Sequence, residues 1–475
     1  MEALQRLHNR GSISTGYNID NSCKFQRDGE YLKAEGRTQG TQTTWTYSTW
    51  VKRTDLSDTN EPFQNIFSAG SSASNWCHAY FRGDGSYPDN EIFLYLDNGG
   101  AQYWLGRIQE SFRDTAAWYH FVLAVDTTQS TTTDRAKVYI NGVQKTISNF
   151  TAPTQNASTR VGDGGGKFAI GALTDASHSF NGYIAECVLV DGSQLTPTDF
   201  GEYDEDSGIW KPKNVSSLSL GTTGFYINFD DASNMGKVTS GNNGGNFDKY
   251  GIDATNQATD TPTNNFATLN PLMANAGPAN YLPITEGGTK AVNTAAAYKI
   301  ANSTFGVTSG KWYWEVKATD VNGVTAIGVT MPFYWDADYT LQGCIYYGQL
   351  GQRYNNASAS SFGATYTDGD IISFALDMDA TPPTMTVYKN NVSQGNLMAG
   401  LSINGTGGAF LPPKEDGYFP KVVGYNANTF ECNFGGYTSF SISSAATDAN
   451  GYGTFEYAPP SGYYALCTKN LEEFG

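Results

Sequence analysis

The sequence predicts an all-β protein made of two β-sandwiches, and three observations carry that expectation. Charged residues are only 16% of the 475 while Gly 53, Tyr 30 and Phe 26 are abundant, a composition of short strands and tight turns rather than of helices rich in Glu, Lys and Leu. Apolar and polar residues alternate over short runs such as Trp45 to Arg53, the period that sends successive side chains to opposite faces of a sheet. The length allows two or three cores at about 150 residues per domain. The apolar share of 39% is modest, but 14% aromatic residues, each burying a large area, supply the missing core volume.

Lys+Arg 29 against Asp+Glu 46 leaves a net charge of −17. Basic residues form no run, so binding to nucleic acid, which needs clustered Lys and Arg, is not expected. Cys23, Cys77, Cys187, Cys344, Cys432 and Cys467 are too widely spaced for a Cys-x-x-Cys metal or redox site and read as buried free thiols. The opening MEALQRLHNRGSIST lacks the continuous apolar core of a signal peptide, and no later stretch of about 18 apolar residues follows. Synthesis and folding in a cytoplasm, with no membrane insertion, are expected.

Residues 1–20 carry the only helical hint, Leu4 and Leu7, and are expected to be an N-terminal docking segment. Strand and turn signals then recur through 21–212, the first sandwich. WTYSTWVKR alternates, EIFLYLDNGG ends in a turn, and AWYHFVLAVD is nearly all apolar. KVYINGVQKT is expected to be a hairpin, because Asn141-Gly142 suits the left-handed conformations of a two-residue turn. FNGYIAECVLVDG closes the set. Residues 213–281 lose the pattern in Asn, Thr and Gly and are expected to be a connector, longer than usual, with GFYINFDD adding one strand to the first domain. The second sandwich spans 282–475, with its clearest strands in FGVTSGKWYWEVKATD, TAIGVT, DIISFALDMD, TMTVYKNNVSQG and YFPKVVGYNANTFECNFG.

Particular residues then carry a resemblance. Trp45-Thr46-Tyr47-Ser48-Thr49-Trp50-Val51-Lys52, Trp118-Tyr119-His120-Phe121, Val138-Tyr139-Ile140-Asn141-Gly142 and Phe180-Asn181-Gly182-Tyr183-Ile184-Ala185-Glu186 follow one another as in the laminin-G-like, concanavalin A-like jelly roll, which the first module resembles. Gly310-Lys311-Trp312-Tyr313-Trp314-Glu315-Val316, Gly369 to Asp379, Met385-Thr386-Val387-Tyr388-Lys389-Asn390, Tyr418-Phe419-Pro420 and Phe430 to Gly435 make the second module similar to the SPRY domain. The pairing, with Asp191 to Glu202 after the first module and Thr261 to Asn270 before the second, resembles virion structural proteins of tailed phages. That resemblance implies a tail-fibre, head-fibre or decoration role in a virion, other virion proteins as partners, and a homo-oligomer.

The chemistry-bearing motifs are few. Retaining glucanases of the jelly-roll superfamily place two carboxylates about 5–5.5 Å apart from Glu-x-Asp-x-x-Glu on one strand. Glu202-Tyr203-Asp204-Glu205-Asp206 comes nearest, lacks the final Glu and reads as an exposed acidic loop. His8, His78, His120 and His178 lie far apart, and His120 reads as a packed strand residue. Gly162-Asp163-Gly164-Gly165-Gly166-Lys167 is followed by Phe168 and not by Ser or Thr, so it reads as a glycine-rich turn rather than a phosphate loop. No cofactor is expected. Calcium is a possibility at loop residues Asp84, Asp89, Asp97, Asp163 and Asp175, but they form no Asp-x-Asp-x-Asp-Gly loop and read as solvated turn aspartates.

Binding without catalysis is the expectation that survives, with host-surface glycan as the ligand class. Sugars stack on aromatic faces while polar side chains take their hydroxyls. Exposed aromatics in turns and loops are therefore the candidates, and two groups stand out, whose rings read alternatively as core or subunit-interface residues: Trp76, His78, Tyr80, Tyr87 and Trp104 in the first module, and Tyr334, Trp335, Asp336, Tyr339, Tyr346, Tyr347 and Arg353 in the second. The alternatives are a tail-spike depolymerase acting on host polysaccharide, which would need β-helix repeats and acidic pairs, and a bacterial surface adhesin, which would need a signal peptide.

Overall fold

Two sheets of alternating strands can bury their apolar faces only against each other, and the chain does this twice. The computed structural model describes residues 16–475 apart from 28, 57–62, 73–74, 84–89, 99–100, 150, 206, 242–244, 273–280, 332–343, 357, 404 and 407–408. It divides at Thr263 and Asn264 into a first unit from Ser14 and a second unit to Gly475.

In the first unit, a nine-stranded antiparallel sheet runs in the order Val143–Lys145, Ala136–Ile140, Trp118–Asp126, Thr44–Arg53, Gly182–Asp191, Ser22–Phe25 and Gln257–Ala258, with Phe225–Ile227 and then Ser240–Gly241 branching from Gly182–Asp191. A seven-stranded sheet runs Asp248–Tyr250, Tyr31–Ala34, Phe168–Ile170, Phe63–Ser72, Asn75–Arg82, Glu91–Asn98 and Ala101–Ile108. Trp45, Tyr47 and Val51 from the first sheet meet Phe67, Phe81 and Phe168 from the second in one core. The nine-stranded sheet is unusual in being covered on its other face too, where Val122, Val188 and Val190 pack under Phe200, Val215 and Tyr226. That second layer is why Thr44–Arg53 is buried at nearly every position. Asn141 and Gly142 have φ of 49° and 79° and join Ile140 to Val143 in register, the hairpin expected from the turn residues.

The stretch 213–281 does not form the expected connector. The burst GFYINFDD adds the expected strand, Phe225–Ile227 against Gly182–Asp191, but Asp248–Tyr250 also extends the seven-stranded sheet beside Tyr31–Ala34, and Gln257–Ala258 pairs with Ser22–Phe25. Ala267 and Leu269 already belong to the second core. The physical reason is long-range pairing: strands of two or three residues have no readable period and exist only because a sheet edge offers them partners. Of the segment expected to dock, 1–15 lie outside the described residues, while Ile19 N donates to Thr263 Oγ1 at 3.1 Å and anchors 16–20 in the first unit.

The second unit pairs an eight-stranded sheet, whose central strands are Asn428–Asn433, Lys311–Val321 and Ile371–Asp377, with a six-stranded sheet centred on Phe419–Tyr425 and Val324–Thr330. Trp312, Trp314, Phe374, Ile327 and Val422 lie in the core between them. Asn390 and Asn391, with φ of 47° and 64°, make the expected turn between Thr384–Lys389 and Val392–Asn396. A helix, Thr468–Phe474, closes the chain. The six cysteines are buried and unbridged. Among the described residues no helix is long and apolar enough to cross a membrane.

Candidate functional site

The strand Asn75–Arg82 sends Cys77, Ala79 and Phe81 into the first core. Period two therefore puts Trp76, His78, Tyr80 and Arg82 together on the outward face of the seven-stranded sheet. Register brings partners beside them: Tyr95 lies opposite His78 and Phe93 opposite Tyr80 on the next strand. The rings form a connected array. His78 stacks on Tyr80 at 4.9 Å, Tyr80 on Phe93 at 5.6 Å, and Trp76 and Tyr95 meet His78 edge-on at 6.0 and 5.2 Å. Phe63 adds an edge to Tyr80, and the Arg82 guanidinium lies 5.3 and 5.2 Å from the Phe63 and Phe93 centroids.

Polar atoms in this array are oriented. Asn65 Nδ2 donates to the His178 carbonyl, so its Oδ1 accepts from His78 Nδ1 at 2.7 Å. That leaves His78 Nε2 as an acceptor. Burial pushes the imidazole down to about 3, so the ring stays neutral at ordinary pH. Trp76 Nε1 is a buried donor with no hydrogen-bond partner among the described residues. On this face Trp76 and Tyr95 are half-buried while His78, Tyr80 and Phe93 are buried, and a buried unpartnered donor and an imidazole acceptor lie among them.

Of the residues singled out from the sequence, Trp76, His78 and Tyr80 come together here, on a strand rather than in a turn. Trp104 lies in the outer strand Ala101–Ile108. Tyr87, Tyr334, Trp335, Asp336 and Tyr339 lie outside the described residues. Phe63, Asn65, Arg82, Phe93 and Tyr95 were missed, although the alternation in EIFLYLDN carried a signal for two of them.

The rest of the second group needs correction. Tyr346 and Tyr347 are consecutive in the strand Cys344–Gly348 and fully buried, one in each of two hydrophobic clusters. Neighbouring strand residues point to opposite faces, and here both faces are covered. The Tyr347 hydroxyl donates to the Ala364 carbonyl, and Arg353 Nη1 donates to the Ala399 carbonyl at 2.7 Å. The two tyrosines are core residues and present no ring to a ligand, whereas Arg353 is half-buried and tied to a backbone carbonyl.

Of the aspartates expected in loops, Asp84 and Asp89 lie outside the described residues, Asp97 lies instead in the strand Glu91–Asn98, and Asp163 and Asp175 lie in loops. Asp163 accepts from Gln42 Nε2, and Asp175 from the Ser177 amide and hydroxyl. Among the described residues no group of three or more His, Cys, Asp or Glu could hold a metal.

Two further polar clusters sit in the covered face of the nine-stranded sheet. His120 is stacked on Trp50 at 4.5 Å, receives a hydrogen bond from Trp210 Nε1 at Nδ1 and lies 2.8 Å from Ser48 Oγ through Nε2. Because Nδ1 accepts, Nε2 carries the proton and donates to the hydroxyl, the opposite of what activating a serine requires. Glu186 sits at a β-bulge with φ of 51°. Its Oε1 accepts from the hydroxyls of Tyr17 and Tyr226, each at 2.5 Å. Burial raises its carboxyl to about 7 against the donors' opposing effect.

A folded-state pKa above the unfolded value near 4.5 means that this group's stabilisation is complete below pH 4.5 and is lost as pH rises through about 7. Glu186→Gln will therefore remove part of the decline in first-unit stability between those pH values. Urea unfolding of both proteins at several pH values checks this, and parallel pH profiles would contradict it.

Comparison with known proteins agrees with the two-sandwich architecture. Residues 26–199 match the family model of the concanavalin A-like lectin/glucanases superfamily, and residues 311–437 match the SPRY domain model. Both domains are present in the chain. Similar solved structures include the SPRY domain of human HERC1, 20% identical with a TM-score of 0.26, covering 31% of this chain and 89% of that one. Another is the native heptameric SAP-like pentraxin of Limulus polyphemus, 15% identical with a TM-score of 0.29, covering 43% and 100%. A third is domain 4 of AbnA, an extracellular arabinanase of Geobacillus stearothermophilus in complex with arabinotriose, 22% identical with a TM-score of 0.24, covering 34% and 68%. No curated protein matches the chain.

Proposed function

We propose that this chain, which joins a concanavalin A-like domain to a SPRY domain, is a non-catalytic phage virion protein of fibre or decoration type that binds host-surface glycan or neighbouring virion subunits. The ring array on the outward face of the seven-stranded sheet is the observation that carries the glycan reading. A sugar ring has apolar C–H faces that stack on aromatics and hydroxyls that need fixed partners. Trp76 and Tyr95 supply half-buried ring faces. Beside them on the same strand face, the buried Trp76 Nε1 is a donor without a partner among the described residues and His78 Nε2 is an acceptor.

The virion setting, with a homo-oligomer among other virion proteins, rests on the paired sequence resemblance. In support of a non-catalytic role, the two most enclosed carboxyls with raised pKa, Glu186 and Glu315, are taken up by tyrosine hydroxyls and, for Glu315, backbone amides. Neither is offered to a groove as half of an acid pair.

The test is a glycan array with the full chain, followed by calorimetry on a hit. Trp76→Ala should weaken binding about tenfold while leaving the far-ultraviolet spectrum unchanged, the effect of losing one stacked ring. Host-surface glycans that fail to bind, or that bind Trp76→Ala equally well, would remove the glycan reading. Release of reducing sugar would replace it with a depolymerase.

A further inference from the structure

Lys52 and Asp260 in the first unit are shut away together: their side chains are 0% and 1% exposed and Nζ lies 2.6 Å from Oδ2. Lys52 stands on the covered face of the nine-stranded sheet, with Trp118 and Tyr183 at the matching positions of the two flanking strands. Asp260 arrives from the far end of the unit, just after the strand Gln257–Ala258, and its carbonyl accepts from Ser22 Oγ at 2.6 Å. The carboxyl is clamped by both oxygens. Oδ2 touches the amine, while Oδ1 accepts from Trp118 Nε1 at 3.0 Å.

Three features of this ion pair suit amide formation. Enclosure disfavours the charged amine: burial pushes Lys52 below its ordinary range against the pull of Asp260. A desolvated lysine is an activated nucleophile. The nucleophile already touches the oxygen it would displace, so orientation has been settled by the fold. The indole N–H is aimed at the other oxygen, where negative charge develops in a tetrahedral intermediate.

We propose that Lys52 and Asp260 are the site of a self-formed isopeptide cross-link. Nζ bonds to Cγ and the Cγ–Oδ2 bond breaks. Of the three ammonium protons, one stays on the amide nitrogen and two leave with Oδ2 as water, so charge and atoms balance without an oxidant or a cofactor. Trp118 Nε1 stabilises Oδ1, which becomes the amide oxygen. The link spans 208 positions of sequence and fastens the chain shortly before it leaves the unit at Thr263. Tension entering there would fall on a covalent bond and not on the short edge strand Gln257–Ala258.

Mass spectrometry of the full chain tests this. The intact protein should be lighter than its sequence by one water, about 18 Da. Trypsin should fail to cut after Lys52 and should yield a branched peptide joining the fragment that ends at Arg53 to the one that begins after Lys249. Lys52→Arg should restore the sequence mass. Should that variant fail to fold, the wild type decides alone: folded protein at full sequence mass, or a water loss without the branched peptide, overturns the cross-link.

Discussion

Asp260→Ala will destabilise the first unit by about 3–5 kcal/mol, the usual cost of stripping one partner from a buried ion pair. Lys52 would keep its place on a face where its side chain has no exposure, and would lose the carboxylate it touches. The Trp118 indole would lose its acceptor at the same time. An orphaned buried donor adds to the loss, because water cannot reach it to compensate. In a unit of this size the thermal midpoint should fall by roughly 10 °C. The sign is the same if the pair has closed to an amide, since alanine then deletes the bond as well. Replacing both partners by apolar residues, Lys52→Met with Asp260→Leu, should recover part of the loss of an ion pair and none of the loss of a covalent link. Urea unfolding followed by tryptophan fluorescence reads all three proteins, and a loss below about 1 kcal/mol for Asp260→Ala would show that the pair carries no stability.

That Asp260 belongs to this lock could not be read along the chain. It lies in TNQATDTPTNN, a polar stretch with no period, and its partners Lys52 and Trp118 are more than a hundred residues away. Strands such as Thr44–Arg53 and Trp118–Asp126 were legible because several residues in succession repeat one constraint. The Asn141-Gly142 hairpin was legible because two residues need positive φ. Gln257–Ala258 exists only through Ser22 and Cys23, and two residues cannot display a pattern. The candidate face divides along the same line. Trp76, His78 and Tyr80 alternate within one strand and could be grouped from sequence, whereas Phe93 and Tyr95 join them through inter-strand register, which no local pattern encodes. Tyr346 and Tyr347 misled in the opposite sense. Adjacent tyrosines suggest a sticky loop, but in a sandwich covered on both faces they become two core residues back to back.

Glu315→Ala in the second unit should cost about 3–5 kcal/mol by a different route, the orphaning of several donors at once. The side chain is fully buried on the central strand Lys311–Val321. Its Oε2 accepts from Asn433 Nδ2 at 3.1 Å and the Glu456 amide at 2.9 Å, and its Oε1 from the Tyr457 amide at 2.9 Å and the Tyr313 hydroxyl at 3.0 Å. Glu456 and Tyr457 belong to no strand or helix, so the carboxyl does for their amides what a sheet neighbour would do elsewhere. Burial raises the carboxyl above its usual range while these donors pull it down. The net upward shift means that the contribution is complete below the unfolded value near 4.5 and declines as pH rises through the folded value. Glu315→Gln keeps the shape and one acceptor but turns an N–H₂ toward groups that themselves donate, so it should lose about half as much as alanine and remove this carboxyl's contribution to the pH dependence. Hydrogen exchange separates this from a general loss of packing. In Glu315→Ala the Glu456 and Tyr457 amides should exchange faster by more than the global destabilisation accounts for, whereas unchanged protection at those two positions would show that the carboxyl does not hold the segment in place.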